Sequence, residues 1–327
     1  KKIALITGIT GQDGYYLTKY LLEKNYEIHG LVRRTSDLNR NRIDKLIENN
    51  LNYKNRIILY YGDICDNISI INILKNIKPN EIYHLGAQSH VKISFEIPVY
   101  TADATGLGTL KLLESIRQLK INPKIYIAGS SEMYGDVTSK FQNEKTPFNP
   151  RSPYGVSKVF SFYIGKNYRE SYKMFICNGI LFNHESPERG ENFVTRKISL
   201  GVASIKLGLK KKLILGNLNA RRDWGHAKDY VEGMYLMLQQ KKPDDYVLAT
   251  GKTYSVREFC KLAFAEVGLD WKKYVVVDKK FYRPSEVNYL RGDSSKAKKI
   301  LNWKHKTNFK SLVKLMVRSD LKNLTSK

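Results

Sequence analysis

Apolar residues in the first 180 positions gather into short runs that alternate with stretches of helical spacing. The runs cover 3–7, 27–32, 57–61, 81–85, 124–128 and 174–180. Between them, 12–24, 68–77, 99–119 and 154–172 repeat their apolar positions with helical period, and Pro79 follows the second as a stop signal. Strands alternating with helices predict an α/β fold: a doubly wound parallel sheet with helices on both faces and right-handed crossovers.

After residue 180 the pattern is less regular. Helical spacing returns at 193–207, 229–239, 256–267 and 310–321, and 282–293 is rich in turn residues and charge. Ser255 with Glu258 three positions on predicts a capping box at the third of these helices. The expected division is a Rossmann-type dinucleotide-binding domain from 1–180 plus 226–248. A smaller mixed α/β substrate-binding region would take 181–225 plus 249–327.

Composition narrows the class. The 327 residues are 42% hydrophobic and 11% aromatic, enough for a sizeable core and against wholesale disorder. No apolar run approaches the ~20 residues of a membrane helix, and the first residues carry no secretory cleavage pattern. Cys65, Cys177 and Cys260 are scattered among apolar neighbours, which fits neither a disulfide framework nor a metal site. A reducing, cytoplasmic location is expected. The net charge of +25, from 56 basic and 31 acidic residues, is dispersed along the chain. Without a basic block or an RNA-binding aromatic signature it implies no specific nucleic-acid partner, and its field favours an anionic substrate.

Chemistry enters at the end of the first run. Gly8-Ile9-Thr10-Gly11-Gln12-Asp13-Gly14 lies between an expected strand and an expected helix. In that context glycines allow a tight turn and close approach of main-chain N–H groups to a pyrophosphate, with the helix N-terminus adding positive partial charge. The second run ends in Arg33-Arg34-Thr35-Ser36, where an acid would read the ribose hydroxyl of NAD. Guanidiniums and hydroxyls suit a 2′-phosphate instead, so the expected cofactor is NADP.

Tyr154 and Lys158 stand four apart on an expected helix and therefore share a face. An ammonium there is expected to lower the Tyr154 pKa and let the phenol exchange a proton with a sugar hydroxyl. The fifth run closes on Ala128-Gly129-Ser130-Ser131-Glu132. Ser130 can hydrogen-bond a reacting oxygen. Glu132 has no use in simple hydride transfer, but suits a base for a carbon-bound proton beside a ketone and an acid for a leaving hydroxyl.

Taken together, these strings resemble the extended short-chain dehydrogenase/reductases, and within them the GDP-mannose 4,6-dehydratases. The resemblance runs over nearly the whole chain. It includes the glycine loop, Val32-Arg33-Arg34, Ala87-Gln88-Ser89-His90-Val91, Ser130-Ser131-Glu132, Tyr154 with Lys158, and Asn183-His184-Glu185-Ser186-Pro187. Further on it includes Arg222-Asp223-Trp224-Gly225-His226 and Tyr282-Arg283-Pro284-Ser285-Glu286. It implies a lyase with recycled NADP. Tyr154 would deprotonate the sugar 4-hydroxyl while carbon 4 gives up a hydride, and Glu132 would take the carbon-5 proton as water leaves carbon 6. The hydride would then return to carbon 6, with Ser130 assisting at the 4-oxygen and Lys158 holding the ribose. The cofactor would be lined by Gly8, Thr10, Gly11, Gln12, Asp13, Gly14, Arg33, Arg34, Ser36, Asp63, Ile64, Leu85, Ala87, Ser89, Tyr100, Lys158, His184 and Arg189. The GDP-sugar would meet Ser89, Asn183, Glu185, Lys197, Gly216, Arg222, Arg283 and Glu286. No metal is implied. Dimers or tetramers are, with the 33–42 segment near a neighbour's cofactor.

Departures from the family pattern are Ser130 for Thr, Gly129 for Ser, Leu85-Gly86-Ala87 for Leu-Ala-Ala, and Asp103-Ala104-Thr105-Gly106 near the sugar. They reshape the expected pocket and keep a GDP-manno-heptose open as alternative substrate. A nucleotide-sugar 4-epimerase would not need Glu132, and a non-enzymatic dinucleotide-binding regulator would not need both Tyr154 and Lys158.

Overall fold

The six apolar runs become strands of one sheet in a computed structural model, which describes residues 1–36, 40–137 and 139–326. They are β1 (Ile3–Thr7), β2 (Glu27–Val32), β3 (Ile57–Tyr61), β4 (Glu81–His84), β5 (Lys124–Ala128) and β6 (Ile176–Leu181). A seventh strand, β7 (Asp245–Leu248), joins beyond β6 and was not apparent from the sequence. It is four residues long and opens on a buried carboxylate. Asp245 is tolerated there because Arg169 pairs with it at 2.8 Å and Asn178 donates to it at 2.9 Å. The order is β7-β6-β5-β4-β1-β2-β3, and every pairing is parallel.

The first-half helices are α1 (Gln12–Glu23), α2 (Asn41–Asn49), α3 (Asn67–Ile77), α4 (Val91–Glu96), α5 (Pro98–Thr101), α6 (Gly108–Gln118) and α7 (Pro153–Tyr172). The expected helix over 99–119 is thus broken: α5 and α6 are joined by a π-turn, Ala102–Leu107. This turn carries Asp103-Ala104-Thr105-Gly106 and packs on α7, where the Ser161 hydroxyl donates to the Thr105 carbonyl at 2.8 Å. That string therefore belongs to helix packing rather than to a sugar pocket.

The second half supplies α8 (Val194–Lys206), α9 (Ala227–Leu238), α10 (Val256–Glu266), α11 (Ser295–Leu301) and α12 (Phe309–Thr325). Three short ladders bind the loops between them: Asn183–Glu185 with Trp224–His226, Leu213–Leu215 with Val275–Val277, and Arg221–Arg222 with Tyr254–Ser255. The capping box of Ser255 and Glu258 forms at α10 as expected. A separate core of Ile198, Val202, Phe259, Phe264, Leu312 and Met316 fills the space among α8, α10 and α12. By contrast, α11 and Trp303 pack into the core on the β1 side of the sheet, so the chain returns to the sheet after residue 249.

Candidate active site

The strand order reverses direction between β1 and β4, and open α/β sheets bind ligands outside the carboxyl ends of strands at that point. The glycine loop leaves β1 there. Gly8 has φ +74°, and a Cβ on it would come within 2.9 Å of the Gly86 nitrogen. A Cβ on Gly14 would sit 2.3 Å from the Ile9 carbonyl oxygen. Gly11 caps α1 without a side-chain hydrogen bond, which leaves the first N–H groups of the helix to an outside acceptor.

From this loop runs a cleft of about 960 Å³. Its walls bring together most of the expected residues: Gly8, Gly11, Gln12, Asp13, Gly14, Leu85, Ala87, Ser89, Ser130, Glu132, Tyr154, Lys158, Asn183, His184, Glu185, Arg189, Lys197, Gly216 and Arg283. Several spend their side chains inside the protein. The Gln12 amide donates to the His184 carbonyl at 3.1 Å and accepts from the Ser186 hydroxyl at 2.8 Å. Burial would raise the Asp13 carboxyl, but the His184 ring, 2.7 Å away, outweighs it and holds Asp13 low while Asp13 holds His184 high. Glu185 accepts from the Thr195 hydroxyl at 2.6 Å and pairs with Arg189 at 3.0 Å. Asn183 differs: among the described residues its buried side-chain oxygen has no hydrogen-bond partner, a costly state that a ligand donor would relieve.

Thr10, Arg33, Arg34, Ser36, Asp63, Ile64, Tyr100, Arg222 and Glu286 lie outside that lining. Arg33 donates to the Tyr100 hydroxyl, which ties the end of β2 to α5. Asp63 accepts from the Cys65 N–H at 2.9 Å, Ile64 packs against Gly108, and the Thr10 carbonyl accepts from Arg42 at 3.0 Å. Arg33, Arg34 and Ser36 are exposed. Within the segment 33–42 expected beside a neighbouring subunit, residues 37–39 lie outside the described residues.

The reacting end is built differently. β5 delivers Ser130, whose hydroxyl accepts from the Glu132 N–H at 3.2 Å and starts a single 3₁₀ turn, Ser131–Met133. α7, capped by Ser152 with Pro153 as its first residue, brings Tyr154 and Lys158 to the same place. All four side chains line the cleft, and Glu132, Tyr154 and Lys158 are buried. Tyr154 is not acidified by Lys158 as expected. Burial dominates and pushes the phenol up to about 12, against the lowering effect of its hydrogen bond with Ser130, while the Glu132 charge adds to the rise. The Lys158 ammonium instead donates to the Ala128 carbonyl at 2.6 Å and lies 5.9 Å from the Tyr154 ring centre. Burial lowers Lys158 itself to about 8. Gly129 is needed where it stands, since a Cβ would meet the Gly179 carbonyl at 2.7 Å.

Burial would also raise Glu132, but Arg283 first and Arg222 second hold its carboxyl below the usual range. Arg283 donates to both carboxylate oxygens, at 3.2 and 3.4 Å, and Arg222 stands at 3.8 Å. Glu286 accepts from the Arg283 main-chain N–H at 2.9 Å. Residues not anticipated are His90, Lys92 and Phe281 in the cleft wall. The Lys197 ammonium sits 4.0 Å from the Phe281 ring centre and the Lys92 ammonium 5.3 Å. His90 stood in a motif already noted, but nothing in the spacing pointed to Lys92 or Phe281. Among the described residues no cluster of His, Cys, Asp and Glu could hold a metal ion, and no helix is long and apolar enough to cross a membrane.

A glycine cradle at the switch point of a parallel sheet, with a buried carboxylate beside a Tyr/Lys pair, defines the class as an extended short-chain dehydrogenase/reductase. Solved structures share the fold over the whole chain. A dTDP-glucose 4,6-dehydratase from Streptomyces venezuelae with NAD and TYD bound superposes with a TM-score of 0.86 at 23% identity, covering 98% or more of both chains. RMD from Pseudomonas aeruginosa, complexed with NADPH, gives 0.80 at 20% identity over 98% of this chain and 100% of that one. The family is narrower. The GDP-mannose 4,6 dehydratase family model matches residues 5–316. GDP-mannose 4,6 dehydratase 1 of Arabidopsis thaliana is 55% identical over 326 residues, 98% of this chain and 90% of the relative. The chain belongs to the GDP-mannose 4,6-dehydratase family.

Proposed function

We propose that the chain removes water from GDP-mannose to give GDP-4-keto-6-deoxymannose, with NADP as a recycled cofactor. The observation that carries this reading is a carboxylate, Glu132, buried beside Tyr154 at the floor of the cleft. An epimerase or a simple dehydrogenase has no task for it. The glycine cradle, the open start of α1 and the Asn183 oxygen, unpartnered among the described residues, suit a dinucleotide and a sugar nucleotide side by side. A bound nicotinamide would supply hydride acceptance at carbon 4 and hydride return at carbon 6. Tyr154, hydrogen-bonded to Ser130, takes the proton of the 4-hydroxyl and later gives one back. Lys158, lowered by burial to about 8 and still mostly protonated near neutral pH, would hold the ribose. Glu132 takes the carbon-5 proton and delivers one to the departing 6-hydroxyl.

The choice of NADP rests on Arg33 and Arg34, two exposed guanidiniums at the end of β2, with Ser36 beyond them. Three free thiols fit a cytoplasmic setting. Val99, Leu107, Val156, Phe160 and Tyr163 are exposed on the packed elements α5, π-turn and α7, a surface that suits pairing with a second copy. Light scattering of the purified protein tests that assembly, and a strictly monomeric mass would remove it. The function is tested by incubation with GDP-mannose and NADP, read by mass spectrometry. Loss of one water is expected; an unchanged GDP-mannose, with water lost only from a GDP-manno-heptose, would transfer the reading to the larger sugar.

A further inference from the structure

We infer that Arg283 masks Glu132 until the diphosphate of the substrate draws the guanidinium away, so that the unreacting half of the substrate switches on the base that attacks the sugar. The inference rests on the role of Glu132 proposed above.

The geometry is a buried carboxylate gripped from one side. Arg283 meets both Glu132 oxygens at 3.2 and 3.4 Å, and both belong to the same cleft. Arg222 stands at 3.8 Å and is fixed elsewhere, since it also donates to the Arg221 carbonyl at 3.0 Å. The two arginines differ in freedom: the Arg222 side chain is 7% exposed and that of Arg283 is 27%. Arg283 rides on a loop without regular structure, anchored by its own N–H to Glu286.

A carboxylate engaged at both oxygens by one guanidinium nitrogen is a weakened base, and the proton on carbon 5 is a reluctant acid even beside a ketone. The step breaks the carbon-5 C–H bond, places its proton on Glu132, forms the carbon 5–carbon 6 double bond and expels the 6-hydroxyl. The expelled oxygen leaves as water with the proton that Glu132 returns. That sequence requires a carboxyl able to hold a proton. A diphosphate, with more charge and more acceptor oxygens than one carboxylate, outcompetes Glu132 for a guanidinium. Once Arg283 turns to it, burial acts on Glu132 with less opposition. The other charged groups facing this pair are Tyr154 on α7, Arg222 on its short strand, Glu286 behind the arginines, and His90 ahead of α4. A bare sugar phosphate that cannot reach Arg283 would leave the base masked.

The test is a titration of the Glu132 carboxyl in the NADP-loaded protein by carboxylate infrared difference spectroscopy, assigned with Glu132→Gln. GDP is the probe. Addition of GDP should move the midpoint up by roughly one to three pH units. Arg283→Met should show most of that rise without GDP, and Arg283→Lys, which keeps charge but has a shorter reach and no planar guanidinium, should fall between. Paired profiles give a kinetic check: the acid limb of kcat/KM should lie below that of kcat in the wild type, and the two should approach each other in Arg283→Met. A midpoint that ignores both GDP and Arg283→Met would overturn the inference. If water is still lost from GDP-mannose in that case, the function stands and only the mask is wrong. If no water is lost, the function itself fails.

Discussion

The reacting site and the end of β2 are made on opposite principles. At the reacting end Glu132, Tyr154 and Lys158 are buried, and each is held by a specific partner: two arginines, Ser130 and the Ala128 carbonyl. At the end of β2 Arg33, Arg34 and Ser36 stand in solvent, with Tyr100 as the tie to a neighbouring element. The first arrangement stores unfavourable desolvation that only reaction can use. The second stores almost none and discriminates by charge. The difference teaches where each kind of substitution should act: on rate and stability at one end, on cofactor choice at the other.

The sharpest way to break the comparison is Glu132→Gln. Elimination should fall by roughly 10²–10⁴-fold while hydride removal from carbon 4 persists, seen as transient reduced cofactor in a stopped-flow trace. An unaffected dehydration rate would take Glu132 out of the chemistry. Next in size is a stability effect at the same end. Lys158 sits at about 8 when folded against an ordinary 10.5, so between those values the folded state binds fewer protons than the unfolded one. Wild-type stability should therefore climb as pH rises through that window. Below it, Lys158→Met should be more stable than wild type by on the order of 2–3 kcal/mol in cofactor-stripped protein, with the gap closing towards pH 10. Equal melting temperatures at pH 7 would mean that the lysine is not under desolvation stress. The smallest effect belongs to the end of β2. Replacing Arg33 and Arg34 by Ala should lower NADP affinity roughly tenfold to a hundredfold and leave NAD affinity and melting temperature unchanged. A matching loss for NAD would show that these cations serve the fold and not the phosphate.

Legibility followed the same divide. The reacting residues sit in two short strings, 128–135 and 154–158, so spacing alone brings them onto one strand end and one helix face. Arg283 meets Glu132 across a sequence separation of 151, and no local pattern encodes that. The sheet was legible for its six apolar runs because buried parallel strands have no polar face to interrupt them. β7 escaped because Asp245 opens it, and its partners Arg169 and Asn178 lie on other elements. The three ladders of two or three residues around the substrate side have no periodicity to read. The direction of the Tyr154 shift was misjudged for a physical reason. Helical spacing placed Lys158 on the right face but could not report that its ammonium turns to a carbonyl, nor that burial would outweigh a charge.

The most direct test of a dehydrogenase-like site that works as a lyase is turnover with GDP-mannose in heavy water at substoichiometric NADP. The account predicts complete conversion to GDP-4-keto-6-deoxymannose, deuterium from solvent at carbon 5, and no net reduced cofactor at the end. Reduced cofactor formed in step with substrate consumed, or a carbon-4 epimer with all its oxygens retained, would contradict it.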